Sequence, residues 1–90
     1  MADYVKVKVF KALADETRCE IVNRLVNGEV SCERIIKDFS LSRPAMSHHL
    51  RILREASVIR ARKEGQFYYF TLNKSFLEEN LPGLIRALKK

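Results

Sequence analysis

The residues of this chain whose types could do chemistry are Cys19, Cys32, Ser47, His48, His49 and a run of arginines that begins at Arg43. A tight soft-metal site needs thiolates, usually three or four, or imidazoles at fixed spacing. His48 and His49 are adjacent, and on a helix adjacent side chains diverge by about 100°. Cys19 and Cys32 show neither metal nor redox spacing. No metal and no cofactor is expected, and the thiols are expected to stay reduced in the cytoplasm. Ser47 and His48 are neighbours that face different directions, so they form no nucleophile–base pair. With no glycine-rich phosphate loop either, an enzyme is not expected. What remains is a group of donors and cations suited to hydrogen bonding and charge pairing.

The element that must position them is a helix over residues 42–56, SRPAMSHHLRILREA. Ser42 is a good N-cap, and Pro44 sits early enough to lose no intrahelical bond. At about 100° per residue, Met46, Leu50 and Leu53 share one side, with His49 on its flank. Pro44, Ser47, His48 and Arg51 share the other, and Arg43 borders it. One face is apolar and the opposite face carries donors, cations and small side chains. A helix built this way can pack on a domain behind and enter a DNA major groove in front.

Charge supports this reading. The chain has 90 residues and a net charge of +6. Residues 1–41 balance seven cations against seven anions, whereas residues 42–66 carry six cations, among them Arg62 and Lys63, against Glu55 and Glu64. A basic patch of this kind favours a phosphate backbone. A 47% hydrophobic content fits one folded domain over residues 1–90. A domain this small buries its own apolar surface only marginally, so a partner subunit is expected. No apolar run approaches the roughly 18 residues of a membrane span, and the N-terminus lacks the apolar core of a signal peptide.

Along the chain, residues 4–14 alternate like a strand at Val5, Val7 and Val9, yet Val9, Phe10 and Leu13 also have helical spacing. Asp15 is an N-cap, and the helix it opens ends at Asn27-Gly28. Ser31 caps a short helix running to about Asp38. Phe39-Ser40-Leu41 is a tight turn, so residues 31–56 read as a helix-turn-helix. Residues 58–63 and 66–72 are β-branched and aromatic, with Glu64-Gly65 between them, which is a hairpin. Its polar tip runs from Arg62 through Gln66 and makes a basic wing. Phe67, Tyr68, Tyr69 and Phe70 are assigned to core and flank. Ser75 to Glu78 reads as a capping box. Leu77, Leu81, Leu84, Ile85 and Leu88 follow at helical spacing, interrupted by Pro82-Gly83, with Asn80 able to cap a second piece. Such a leucine-rich tail suits a dimer interface.

FKALADETRCEIVNRL and SLSRPAMSHHLRILREASVIRARKEGQFYYFTL, in this order and spacing, resemble the ArsR/SmtB winged helix-turn-helix repressors over residues 9–72. Within the family the chain looks most like the metal-independent autorepressors. The resemblance implies a mainly α fold with a small β-hairpin, in the order four helices, two strands, one helix. It implies a cytoplasmic homodimer that binds double-stranded DNA at an inverted repeat and represses transcription, away from any membrane. It makes the ambiguous N-terminus a helix, so that residues 3–13 and 75–89 are the dimerisation helices, with Val9, Leu13, Leu81, Leu84, Ile85 and Leu88 at the interface and a wing over residues 58–72. It assigns DNA contacts to Ser42, Arg43, Pro44, Ala45, Ser47, His48 and Arg51, to which the wing adds Arg62, Lys63 and Gln66. His49 matches the family's inward-leaning histidine.

Three departures matter. Glu16 stands where the family usually has proline. Ser40 stands in the turn where it often has glycine, at a cost on the order of 1 kcal/mol if that residue is left-handed. Val30-Ser31-Cys32 stands where arsenic and cadmium sensors carry Cys-x-Cys, and the last helix has no His or Cys. Two other functions fit the residues. One is a thiol-responsive repressor using Cys32, whose place at a helix N-terminus favours a thiolate. The other is a winged helix used only for protein contacts. Relief of repression falls to an unidentified protein or small-molecule inducer, to dilution of the repressor, or to oxidation of Cys32.

Overall fold

The computed structural model describes residues 3–88. The chain runs α1 (Tyr4–Leu13), α2 (Glu16–Leu25), β1 (Val30–Ser31), α3 (Cys32–Phe39), α4 (Arg43–Glu55), β2 (Ile59–Glu64), β3 (Phe67–Leu72), α5 (Lys74–Asn80) and α6 (Leu84–Leu88). The three strands form one antiparallel sheet in the order β1-β3-β2. This is a winged helix-turn-helix, with α3 and α4 as the pair and β2–β3 as the wing.

Local chemistry sets most boundaries. Asp3 caps α1 by accepting from the backbone N–H groups of Val5 and Lys6 at 3.0 and 3.3 Å. The helical reading of the N-terminus is correct, because Val9 and Ala12 fall on one helical face and bury completely. Asp15 caps α2 through the N–H of Arg18 at 3.0 Å, and Ser31 caps α3 through that of Arg34 at 3.2 Å. The core gathers Ile21, Val22 and Leu25 of α2, Ile35 of α3, Met46, Leu50 and Leu53 of α4, Phe70 and Leu72 of β3, and Leu77 of α5.

Two serines stand where glycine is the usual residue. Ser40, in the helix-turn-helix turn, has φ 53° and ψ 36°. Ser57, after α4, has φ 66°. There the N–H of Ser57 donates to the carbonyl of Arg54 at 2.9 Å, and that of Val58 to Leu53 at 3.0 Å. These two bonds make a Schellman ending. Leu53 and Val58 are both fully buried, so the end of α4 is tied to the root of the wing.

Several expectations are corrected. A short strand, β1, joins the hairpin through Val30↔Phe70 and Ser31↔Tyr69. Two residues are too few to show a period in sequence. The hairpin turn is Gly65-Gln66, not Glu64-Gly65, because Glu64 still pairs with Phe67 and Gly65 takes φ 63°. The single last helix implied by the resemblance is two helices, split at Pro82-Gly83 where the sequence interrupts the leucines. Ser75 forms no capping box: α5 starts at Lys74, and the Ser75 hydroxyl donates to Asn73 Oδ1 at 3.4 Å. Asn80 caps no second piece, since its amide donates back to the carbonyl of Phe76 at 2.9 Å. Residue 89 of the expected terminal helix lies outside the described residues.

Candidate nucleic-acid interface

The recognition helix, α4, starts as its residues require. Ser42 Oγ accepts from the N–H of Ala45 at 3.2 Å, and Pro44 occupies the first turn. Met46 and Leu53 are fully buried and Leu50 nearly so, which fixes the opposite face outward. Ser42, Arg43, Pro44, Ser47, His48 and Arg51 are exposed, and Ala45 is half-buried. Arg51 Nη2 lies 3.4 Å from His48 Nδ1, so these two side chains share one patch of the exposed face. Arg43 is already engaged: its Nη2 donates to both carboxylate oxygens of Glu33, at 2.8 and 2.9 Å, and ties the start of α4 to the first turn of α3.

His49 faces inward, with 18% of its side chain exposed. Its Nδ1 lies 3.3 Å from Arg18 Nη1, so that nitrogen carries the lone pair when Arg18 donates. The same guanidinium donates to the carbonyl of Ala12 at 2.6 Å, at the end of α1. Arg18 thereby joins α1 to the recognition helix, a role that sequence reasoning missed. Asp15 accepts the Arg18 backbone N–H, and that bond holds its carboxyl below the ordinary 3.8.

The wing presents two different faces. Strand residues alternate sides. Ile59 and Lys63 of β2 therefore share a side with Tyr68, Phe70 and Leu72 of β3, and Arg60, Arg62 and Glu64 share the other with Tyr69 and Thr71. The first side looks toward α4. There a cleft of about 190 Å³ is lined by Ser47, Leu50, Arg51 and Arg54 of α4, by Tyr68 and Phe70 of the wing, and by Cys32. Lys63 Nζ lies 5.7 Å from the centre of the Tyr68 ring. Among the described residues, Arg51, Arg54 and Lys63 pair with no carboxylate.

Arg62 is on the other side and is not free. Its Nη2 and Nε donate to Glu29 at 2.8 and 3.1 Å, and its Nη1 donates to Glu64 at 2.7 Å. Arg62, expected as a phosphate contact of the wing, is thus engaged by two carboxylates, as Arg43 is by one. Gln66 is exposed in the turn, as a wing-tip contact requires. Arg54 and Tyr68 were missed, although both periods could have found them. Arg54 follows Arg51 by three and Ser47 by seven, and Tyr68 shares the strand side of buried Phe70. Phe67 and Tyr68 are 47% and 44% exposed, so neither belongs to the core.

Cys32 is half-buried at the base of the cleft. Burial pushes its thiol pKa up, and the Glu33 carboxylate adds to this against the opposing charge of Arg43. The thiolate expected from its helix terminus is thus disfavoured. The interface expectations are mixed. Val9 is fully buried in its own protomer and has no surface to offer, because it lies on the core face of α1. The exposed apolar side chains of α1 are instead Tyr4, Val5 and Phe10, at 80%, 46% and 57%. Leu13, Leu81, Leu84, Ile85 and Leu88 are half-buried against the core.

A family model described as a helix-turn-helix domain matches residues 13–62, which include α2, α3, α4 and most of the first strand of the wing. The transcriptional repressor SdpR of Bacillus subtilis is 38% identical over 91% of this chain and 91% of its own length. The chain belongs to the ArsR/SmtB family of winged helix-turn-helix repressors. Solved structures share the fold. HlyU from Vibrio cholerae superposes with a TM-score of 0.81 at 31% identity, covering 93% of this chain and 87% of that one. A homodimeric winged helix-turn-helix DNA-binding domain from Mycobacterium bovis, Mb0332, superposes with a TM-score of 0.79 at 26% identity, covering 93% and 77%. Within this ArsR/SmtB fold, the cleft between α4 and the wing combines an outward polar helix face with cations that pair with no carboxylate among the described residues.

Proposed function

We propose that the chain binds double-stranded DNA as a homodimeric repressor, with α4 in the major groove and the backbone passing through the cleft between α4 and Lys63. One observation carries this. Arg51 and Arg54 line the cleft, Lys63 stands beside its Tyr68, and among the described residues none of the three has a carboxylate partner; exposed Ser47 and His48 lie next to them. Unpaired cations supply the phosphate attraction, and hydrogen-bonding side chains on a groove-facing helix supply sequence discrimination. Ser42, Pro44, Ala45 and Gln66 contribute close approach and backbone contacts. Arg43 contributes after exchanging Glu33 for the nucleic acid.

The dimer is supported by the exposed Tyr4, Val5 and Phe10 on α1 and by the half-buried leucines of α6. Two recognition helices related by a two-fold axis would read half-sites about 34 Å apart. The protein acts by binding and not by catalysis, in the cytoplasm, without a metal or cofactor. Its inducing signal is an unidentified protein or small molecule. The test is selection from random duplexes, followed by binding of the enriched sequence by Ser47→Ala and His48→Ala variants. An enriched inverted repeat, with base preference relaxed at defined positions in the variants, supports the reading. Equal binding to all duplexes in every variant refutes it.

A further inference from the structure

We propose that Arg62 is a positioning residue: with Glu29 and Tyr69 it clamps the wing to the body of the domain and contacts no phosphate itself. The inference rests on the DNA-binding reading above and gives the wing's arginine a different role from its charge alone. Arg62 lies on β2, an outer strand, and Glu29 immediately precedes β1, the opposite outer strand. To reach Glu29 the side chain crosses the central strand, passing over the Tyr69 ring with Cζ 4.6 Å from its centre. There it meets both carboxylate oxygens, and its remaining nitrogen holds Glu64 near the wing tip. One guanidinium thus links tip, central strand and body.

The link adds to a backbone connection that is short on the β1 side. β2 and β3 pair through six residues, but β1 pairs with β3 through only two. Isolated exposed ion pairs contribute little, whereas a bidentate arginine within a charge network, seated on an aromatic ring, is the favourable case. Each nitrogen of Arg62 bonds a carboxylate, so a phosphate would have to displace two of them. Lys63 and Tyr68 project from the opposite side of the same strands, toward α4. Fixing the hinge of the wing through Arg62 sets where those two side chains meet the nucleic acid.

The experiment measures operator affinity against salt concentration for the whole chain and for Arg62→Ala, Arg62→Lys and Glu29→Ala, with an unfolding midpoint for each. Lysine keeps the charge but cannot present the planar fork. The clamp therefore predicts that Arg62→Lys and Glu29→Ala both weaken binding about three- to fivefold. It predicts a log–log salt slope within about 0.3 of the unaltered value in all three variants, since no phosphate contact is lost. Near-normal Arg62→Lys, an Arg62→Ala slope reduced by about one, or tighter binding by Glu29→Ala would overturn it. Unchanged affinity throughout would do the same. An unaltered chain that bound no duplex would refute the DNA reading instead. The clamp would then be judged by amide exchange over residues 59–72, which it predicts is faster in Arg62→Lys and Glu29→Ala. Unchanged exchange overturns it.

Discussion

Arg62 and Glu29 meet on the side of the sheet that faces away from the recognition helix, with Arg62 Nη2 2.8 Å from Glu29 Oε1. The hydrogen bonds from Arg62 hold the Glu29 carboxyl below its ordinary 4.5, as the backbone N–H of Arg18 does for Asp15. A carboxyl whose pKa is lower in the folded chain stabilises that chain fully above its unfolded pKa, and loses the contribution as pH falls through the folded value. Stability is therefore flat near neutrality and declines below about pH 4. Urea midpoints between pH 7 and pH 2.5 should show a shallower acid decline in Glu29→Ala and Asp15→Ala than in the unaltered chain. Identical slopes would mean that neither bond persists in solution.

The two left-handed serines give a second expectation. Ser40 and Ser57, at φ 53° and 66°, carry a Cβ in a region that favours glycine. Ser40→Gly and Ser57→Gly should each raise stability by up to about 1 kcal/mol, partly offset by the greater chain entropy of unfolded glycine. Ser57→Val should lower it by at least as much, since a β-branched residue fits that conformation least. Equilibrium urea unfolding measures both.

Association should depend on the exposed face of α1 rather than on Val9. Phe10→Glu should yield monomers by light scattering while far-ultraviolet circular dichroism stays unchanged. Val9→Ala should instead lower stability by about 1–3 kcal/mol through a core cavity and leave the dimer in place. A monomeric unaltered chain would remove the basis for two half-sites.

Cys32 should be a slow nucleophile, because burial and Glu33 both oppose its thiolate. Cys32→Ser should leave operator affinity within about twofold, with or without mild peroxide, because the neutral thiol is the stable form. A large oxidant effect abolished by this substitution would restore the thiol-switch reading.

Much of the fold was legible because single residues announce it. Asp15, Ser31 and Ser42 each cap the helix their type predicts, and Met46, Leu50 and Leu53 bury as their spacing requires. β1 was not legible, since two residues have no period and pair only through Phe70 and Tyr69, about 40 positions away. The capping box at Ser75 misled because the N-cap position of α5 is Asn73, two residues earlier. Val9 was assigned to an interface because the resemblance puts the first helix there, and an apolar stripe does not say which of its residues its own core covers. Arg62 is the most instructive case: charge marked it as a phosphate ligand, and the folded chain shows it held by Glu29 and Glu64. Alternation from buried Ile59 would have turned it away from α4, but only the folded chain brings Glu29 beside it.

The central claim is that the free cations of the cleft meet the phosphate backbone. The most direct measurement is the slope of log affinity against log salt for a selected operator, compared between the unaltered chain and Arg51→Ala, Arg54→Ala and Lys63→Ala. Each variant should bind more weakly and flatten the slope by about one, with no change in the order of preferred sequences. Slopes that match the unaltered chain in all three would contradict the account, because the nucleic acid would then lie elsewhere on the molecule.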